Sequence, residues 1–247
     1  MNRLLLALMI AFAASAQAST ENGLSYSASA FDLDSGEPLY TETHTEIWSE
    51  GRLHSREVRY AEPDGDLIAE KVVRYGMSPE APSFEMIDHR LGRKEGAQVE
   101  SSSITLFHGP IDGGSRTREV ERPSTAVVDA GFDAFMRERF DSVLAGERIE
   151  FDFAVPALRR FFRFELLPKG EISYDGGTAV LVKMRPASAL LRLAVDPVDL
   201  IYSRSGRLLE FRGLSNMADG SGERYKARIV FDYPESLPPA FAAGAAP

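Results

Sequence analysis

Cysteine is absent from the 247 residues, histidine occurs only four times and tryptophan once. Without cysteine there is no disulfide framework, no thiolate metal or iron–sulfur site, no cysteine nucleophile and no acylated lipoprotein cysteine. Basic residues are in deficit as well: 28 Lys and Arg stand against 37 Asp and Glu, a formal net charge of −9. That balance suits neither nucleic-acid phosphates nor an anionic membrane surface, so no nucleic-acid partner is expected. After the first residues no apolar run is long enough for a membrane span. What remains, 44% hydrophobic and 26% charged, is ordinary globular composition.

The chain starts with Met1-Asn2-Arg3, continues through an apolar stretch from Leu4 to Ala14, and reaches a small-x-small site at Ala16-Gln17-Ala18. This order of charge, short apolar run and cleavage site reads as a secretory signal peptide over residues 1–18. Cleavage near Ala18 removes Arg3 and leaves a mature chain of net charge −10, beginning near Ser19. The expected destination is the periplasm of a Gram-negative cell. At the other end, 234–247 is rich in Pro and Ala and reads as a disordered tail. Residues 19–233 are expected to form a single domain, large enough for a core of its own.

Period-2 alternation, broken every eight to twelve residues by turn residues, dominates this domain and signals consecutive antiparallel strands. Strands are expected at about 24–33, 38–49, 52–61, 66–76, 83–91 and 97–107. Further strands follow at about 148–155, 159–167, 178–185, 198–204, 207–213 and 223–233. Glu50-Gly51, Asp175-Gly176-Gly177, Pro168-Lys169-Gly170 and Ser205-Gly206 supply residues that tolerate positive φ at the turns. In the second strand neither face is plainly apolar: Tyr40, Glu42, His44, Glu46 and Trp48 share one, and three threonines with Ile47 share the other.

Between the two strand groups, His108 to Ser115 is loop-like and the following residues to Pro123 are charged without period. One long helix is expected over about 130–145, with Asp129 as N-cap and Gly146 as its stop. Phe132, Phe135, Met136, Phe140, Val143 and Leu144 form its apolar stripe at helical spacing. A weaker helical segment is expected over 187–194. The fold class that follows is mainly β with some α: a curved antiparallel meander or half-barrel of about twelve strands, with the long helix on its concave face.

Chemistry-bearing motifs are sparse. No two of His44, His54, His89 and His108 have the close spacing of metal ligands, and neither a metal nor a cofactor is expected. With a two-residue loop at Glu50-Gly51, His44 and His54 fall on opposite faces; a three-residue loop would bring them together. Ser215 sits in Gly-x-Ser-x-Met, without the closing glycine of a nucleophile elbow. Glu46 and Glu57 are a carboxylate pair that a hairpin can bring together, and Arg159, Arg160 and Arg163 are the densest basic cluster.

Two features stand out. Phe151, Phe153, Phe162 and Phe164 face the helix that carries Phe132, Phe135 and Phe140, which implies either an aromatic core or an apolar cavity. Arg139 lies inside the helix's apolar stripe, where an arginine must snorkel, pair with a buried carboxylate or point into a cavity. It is the candidate for holding the anionic end of an apolar ligand.

The stretch Leu190-Leu191-Arg192-Leu193-Ala194-Val195-Asp196-Pro197-Val198-Asp199-Leu200, followed by Leu208-Leu209-Glu210-Phe211-Arg212-Gly213-Leu214-Ser215-Asn216, is similar to segments of secreted Gram-negative envelope proteins. The overall arrangement resembles the half-barrels of the Lol-type lipoprotein carriers. That resemblance implies a hydrophobic cavity beneath helices that receives acyl chains. It transfers no functional residue, and the chain departs from the pattern in having one clear helix and no lipid-attached cysteine. The expected function is a monomeric, non-enzymatic periplasmic binding or carrier-like protein for a lipid or acyl ligand. The alternative is an envelope interaction protein that docks through strand edges with its Tyr40 and Trp48 face at the surface. A hydrolase with an unrecognised site comes third.

Overall fold

The computed structural model describes residues 22–235. The segments read as signal peptide and, from 236 onward, as tail lie outside them. The described chain folds into one sheet of fifteen strands. The first eight are β1 (Asn22–Asp32), β2 (Pro38–Ser49), β3 (Arg52–Ala61), β4 (Leu67–Arg74), β5 (Ser83–Asp88), β6 (Arg93–Val99), β7 (Ser103–Pro110) and β8 (Arg116–Glu121). After the short β9 (Ala126–Val127) come the helices α1 (Gly131–Glu138) and α2 (Phe140–Leu144). The sheet resumes with β10 (Ile149–Val155), β11 (Arg160–Tyr174), β12 (Gly177–Pro186), β13 (Val198–Ser203), β14 (Leu208–Ala218) and β15 (Arg224–Asp232).

Every neighbouring pair is antiparallel except β9 and β10. The spatial order runs from β8 down to β1, then β15 down to β9, so the first and last strands pair in the middle. The sheet is mainly β meander, as expected, but it is not closed: β8 and β9 are its two edges. It curls nonetheless. Ala28, Tyr40, Phe84 and Ile104 share one buried cluster with Ala126 and Ala154 from the far edge.

Hairpin turns alternate between two ends of this curled sheet. One end holds the β2–β3, β11–β12 and β13–β14 turns, and there the two helices cross from β8 and β9 to β10. The other end holds the β5–β6, β10–β11, β12–β13 and β14–β15 connections. Glu50-Gly51 and Asp175-Gly176 make two-residue turns with positive φ at both positions, the geometry that matches the right-handed twist of paired strands.

Several expectations require correction. There are fifteen strands instead of about twelve. The stretch 97–107 holds two strands, because Glu100 to Ser102 turns the chain without any Gly, Pro or Asn to mark it. The aperiodic charged segment contains β8; an edge strand exposed on both faces has no burial pattern to read. Pro168-Lys169-Gly170 is not a turn but an irregularity inside β11, where Gly170 takes φ +89 and the strand bends and continues.

The long helix is two short ones, broken at Arg139 with φ −109 and ψ 12. Asp129 does not cap it: that residue has φ +42 and gives its carboxylate to Lys71, leaving Ala130 at the cap without a side-chain bond. Gly146 does end α2, with φ +79 and its N–H on the Val143 carbonyl. Gly131 opens α1 because nothing larger fits: a Cβ there would lie 2.1 Å from the Glu80 carbonyl oxygen. The segment 187–194 contains only a 3₁₀ turn at Leu191–Leu193.

Candidate functional site

The expected ligand residues come together, and they are packed. Phe135, Phe140 and Phe151 are buried between the helices and β10 to β13, with Phe132, Phe153 and Phe164 partly buried against them. The Phe135 and Phe151 ring centroids lie 4.9 Å apart, and those of Phe132 and Phe151 5.6 Å apart. Phe162 lies opposite Phe153 across the β10–β11 pair and carries the Arg160 guanidinium 4.6 Å from its centroid. Phe132, Phe135, Phe151, Phe153 and Phe164 contact one another, Phe140 packs on Tyr202, and together they fill the seam in which a cavity or a core was expected.

Arg139 stands at the rim of this seam, not within it. The break between α1 and α2 turns its side chain outward, where it is 34% exposed and donates to Glu138 at 2.9 Å. Its guanidinium covers the Phe135 ring at 4.3 Å.

The interior at the helix end is polar, which the sequence reading missed. The face of β2 bearing Tyr40, Glu42, His44, Glu46 and Trp48 is the buried one. Arg56 on β3 donates to Glu46 at 2.7 Å and to Asp133 of α1 at 2.5 Å, while the Trp48 indole donates to Glu46 at 2.9 Å. Lys71 on β4 reaches Asp129 at 3.1 Å, and His44 meets Glu42 at 2.8 Å with Tyr26 stacked on its ring. Burial alone raises the Asp133 carboxyl, but the Arg56 and Arg137 guanidinium groups outweigh it and hold the acid below its usual range. Burial likewise lowers Lys71, and Asp129 more than reverses it. Burial pushes the Tyr60 phenol up to about 12. Each buried cation here has an acid supplied by the 129–133 segment.

The opposite end is open. A pocket of about 220 Å³ is lined there by Met86, Asp88, Arg93, Lys94, Glu95, His108, Ala157, Asn216 and Arg224. Its deep wall is apolar at Met86, and Asn216 sits between Met86 and the Tyr60 hydroxyl. The irregular register of β14 between Leu214 and Ala218 lets Ser215 reach Tyr40 at 2.7 Å while Asn216 lines the pocket. Glu95 pairs with His108 at 3.4 Å and Arg93 with Asp88 at 3.7 Å. Burial raises the Glu95 carboxyl; His108, Arg224 and Arg93 together bring it below the usual value. Lys94 and Arg224 form no ion pair within 4.0 Å among the described residues. Arg224, which acts on Glu95 only at longer range, stands in the same recess as Met86, a combination that suits an amphiphilic anion.

The remaining candidates separate. Ser215 shares its hydroxyl with Tyr40 and accepts the Met217 N–H, a structural use. The Glu50-Gly51 loop has two residues, but an irregularity at Ile47 and Trp48 sets His44 opposite Val58; His44 is buried and His54 exposed. Glu46 is buried and Glu57 exposed, so these carboxylates do not meet. Arg163 pairs with Asp152 at 2.7 Å, and Arg159 takes φ +50 in the turn before β11. Among the described residues no cluster of three His, Asp or Glu is arranged to hold a metal ion, and no helix is long and apolar enough to cross a membrane.

The sequence matches no protein-family model and no curated protein. Among solved structures, a β-barrel-like protein of the domain of unknown function DUF1849 from Brucella abortus is similar over 87% of this chain and 96% of that chain, with a TM-score of 0.43 and 6% identity. At that score and identity the likeness is weak.

Proposed function

We propose that this chain is an exported, periplasmic binding protein that holds a small amphiphilic anion, such as a fatty acid, in the pocket at its open end. The observation that carries this reading is Arg224, which has no ion pair within 4.0 Å among the described residues, in one recess with the apolar Met86; Lys94, on the other face of β6, stands at the rim. Such sites combine an apolar lining with a few polar groups that fix orientation. At about 220 Å³ the recess lies below the ~300–1,000 Å³ of drug-sized ligand sites, so the guest is small or only partly enclosed. The Phe-rich seam acts as packing in this reading.

The alternative, docking through a strand edge, has a free edge in β8. That strand carries Arg116, Arg118, Glu119 and Glu121, the charged pattern that keeps an edge from pairing, and the Tyr40 and Trp48 face is buried. Native mass spectrometry of the chain purified without detergent tests the proposal. A bound amphiphile released on denaturation is expected, and its loss in Arg224→Glu follows. A ligand retained equally by that variant would place the site elsewhere.

A further inference from the structure

The connection 187–197, at the same end as the pocket, exposes apolar side chains that nothing in the described chain covers. Leu190 is 76% exposed and Leu193 85%, with Val195 and, on β14, Leu214 beside them. The segment is held, not loose: the Ala187 N–H bonds the Arg163 carbonyl at 2.9 Å, and Arg192 reaches back to Glu165 and the Ala187 carbonyl.

The sheet face next to it is cationic, against the net charge of the chain. Strand register lines up Lys183, Arg212 and Arg228 across β12, β14 and β15, with Arg185 and Lys226 one step nearer the loop. The acids that balance these arginines, Glu165 and Glu210, are buried beneath them at 0% and 2% exposure. Solvent therefore meets the guanidinium side of each cluster. The acids of this face nearer to solvent are Asp196 and Asp199, with Glu150 and Asp152 farther off on β10 beside Arg148 and Arg163.

We infer that this loop and face dock on an anionic lipid surface, with Leu190 and Leu193 entering the acyl boundary and the cations meeting headgroup phosphates. Apolar side chains ringed by Lys and Arg are the combination that binds such interfaces. The lysines and arginines around these leucines, and not the leucines alone, favour a lipid surface over a protein partner. The overall acidity argued against membranes only while charge was counted without position. Arg224 of the pocket and Lys226 of this face are two residues apart on β15, so a docked membrane lies beside the pocket mouth. The inference stands without that pocket.

The absence of cysteine makes the test site-specific. A polarity-sensitive fluorophore is attached to Leu193→Cys in the full chain, and to Thr178→Cys at the other end of β12 as control. On mixed phosphatidylethanolamine–phosphatidylglycerol vesicles the emission from position 193 is expected to shift to the blue, and that from 178 to stay unchanged. Phosphatidylcholine vesicles should give no shift. Lys226→Glu should weaken the response about tenfold, in keeping with the loss of one near-surface cation and the gain of an acid. No shift at 193 on any vesicle, or equal shifts on both lipids or at both positions, overturns the inference and leaves the loop to a protein partner.

Discussion

The two ends of the curled sheet both gather charged side chains, and they treat them in opposite ways. At the helix end Arg56 and Lys71 each receive an acid from the 129–133 segment, and the cations are buried and satisfied. At the open end Lys94 and Arg224 line a recess without an ion-pair partner among the described residues. Neutralised charge fixes the position of α1; spare charge waits for something to bind. In the proposed reading the first arrangement serves stability and the second serves binding, and substitutions at the two ends should separate the effects.

Arg56→Leu should be the most damaging change. It strands the buried Glu46 carboxylate and leaves the half-buried Asp133 without its closest cation, a loss of about 3–5 kcal/mol for one partner of a buried pair. Urea denaturation measures it, and an Arg56→Leu, Glu46→Leu, Asp133→Leu triple variant should recover much of the loss. Met136→Ala, in the apolar seam beneath the same helix, should cost about 2–5 kcal/mol through transfer and cavity terms. The contrast is in pH: the Met136 effect should be flat, while the polar network should respond to acid. The folded Asp133 carboxyl lies below the ordinary aspartate value of 3.8. Its contribution is therefore complete above that value and is lost as pH falls through the lower, folded one. Thermal melts of Asp133→Asn should lack this acid-dependent loss.

The seam was legible in the sequence because alternation in β10 and β11 and helical spacing at Phe132, Phe135 and Met136 both report one-sided burial. The polar interior was not, because Glu42, His44 and Glu46 on a buried face break the apolar pattern by which a core is recognised. The other members of the network, Arg56, Lys71, Asp129 and Asp133, lie on other elements, and only the register of three strands and the placement of the 129–133 segment bring them together. The pocket is equally non-local: its lining comes from five strands and the β10–β11 connection. Arg139 misled for a local reason. A helix assumed continuous carries it into the apolar stripe, and the break at its own φ and ψ swings it out.

Smaller effects sharpen the contrast further. Arg139→Ala should change stability by no more than about 1 kcal/mol, since its pair with Glu138 is exposed and its guanidinium covers the buried Phe135 ring only from the solvent side. Arg224→Ala, at an exposed position, should leave stability within about 0.5 kcal/mol. Near-equal stability with impaired binding would mark the open end as functional.

Isothermal titration of octanoate into the wild-type chain and into Arg224→Glu is the most direct measurement of that assignment. The wild type should bind one molecule per chain, and Arg224→Glu, unfolding at the same urea concentration, should bind at least about tenfold more weakly, equivalent to 1.4 kcal/mol. Equal affinity in the two proteins, or no binding by the wild type, would contradict the claim that the unpaired cations of the open end hold a ligand.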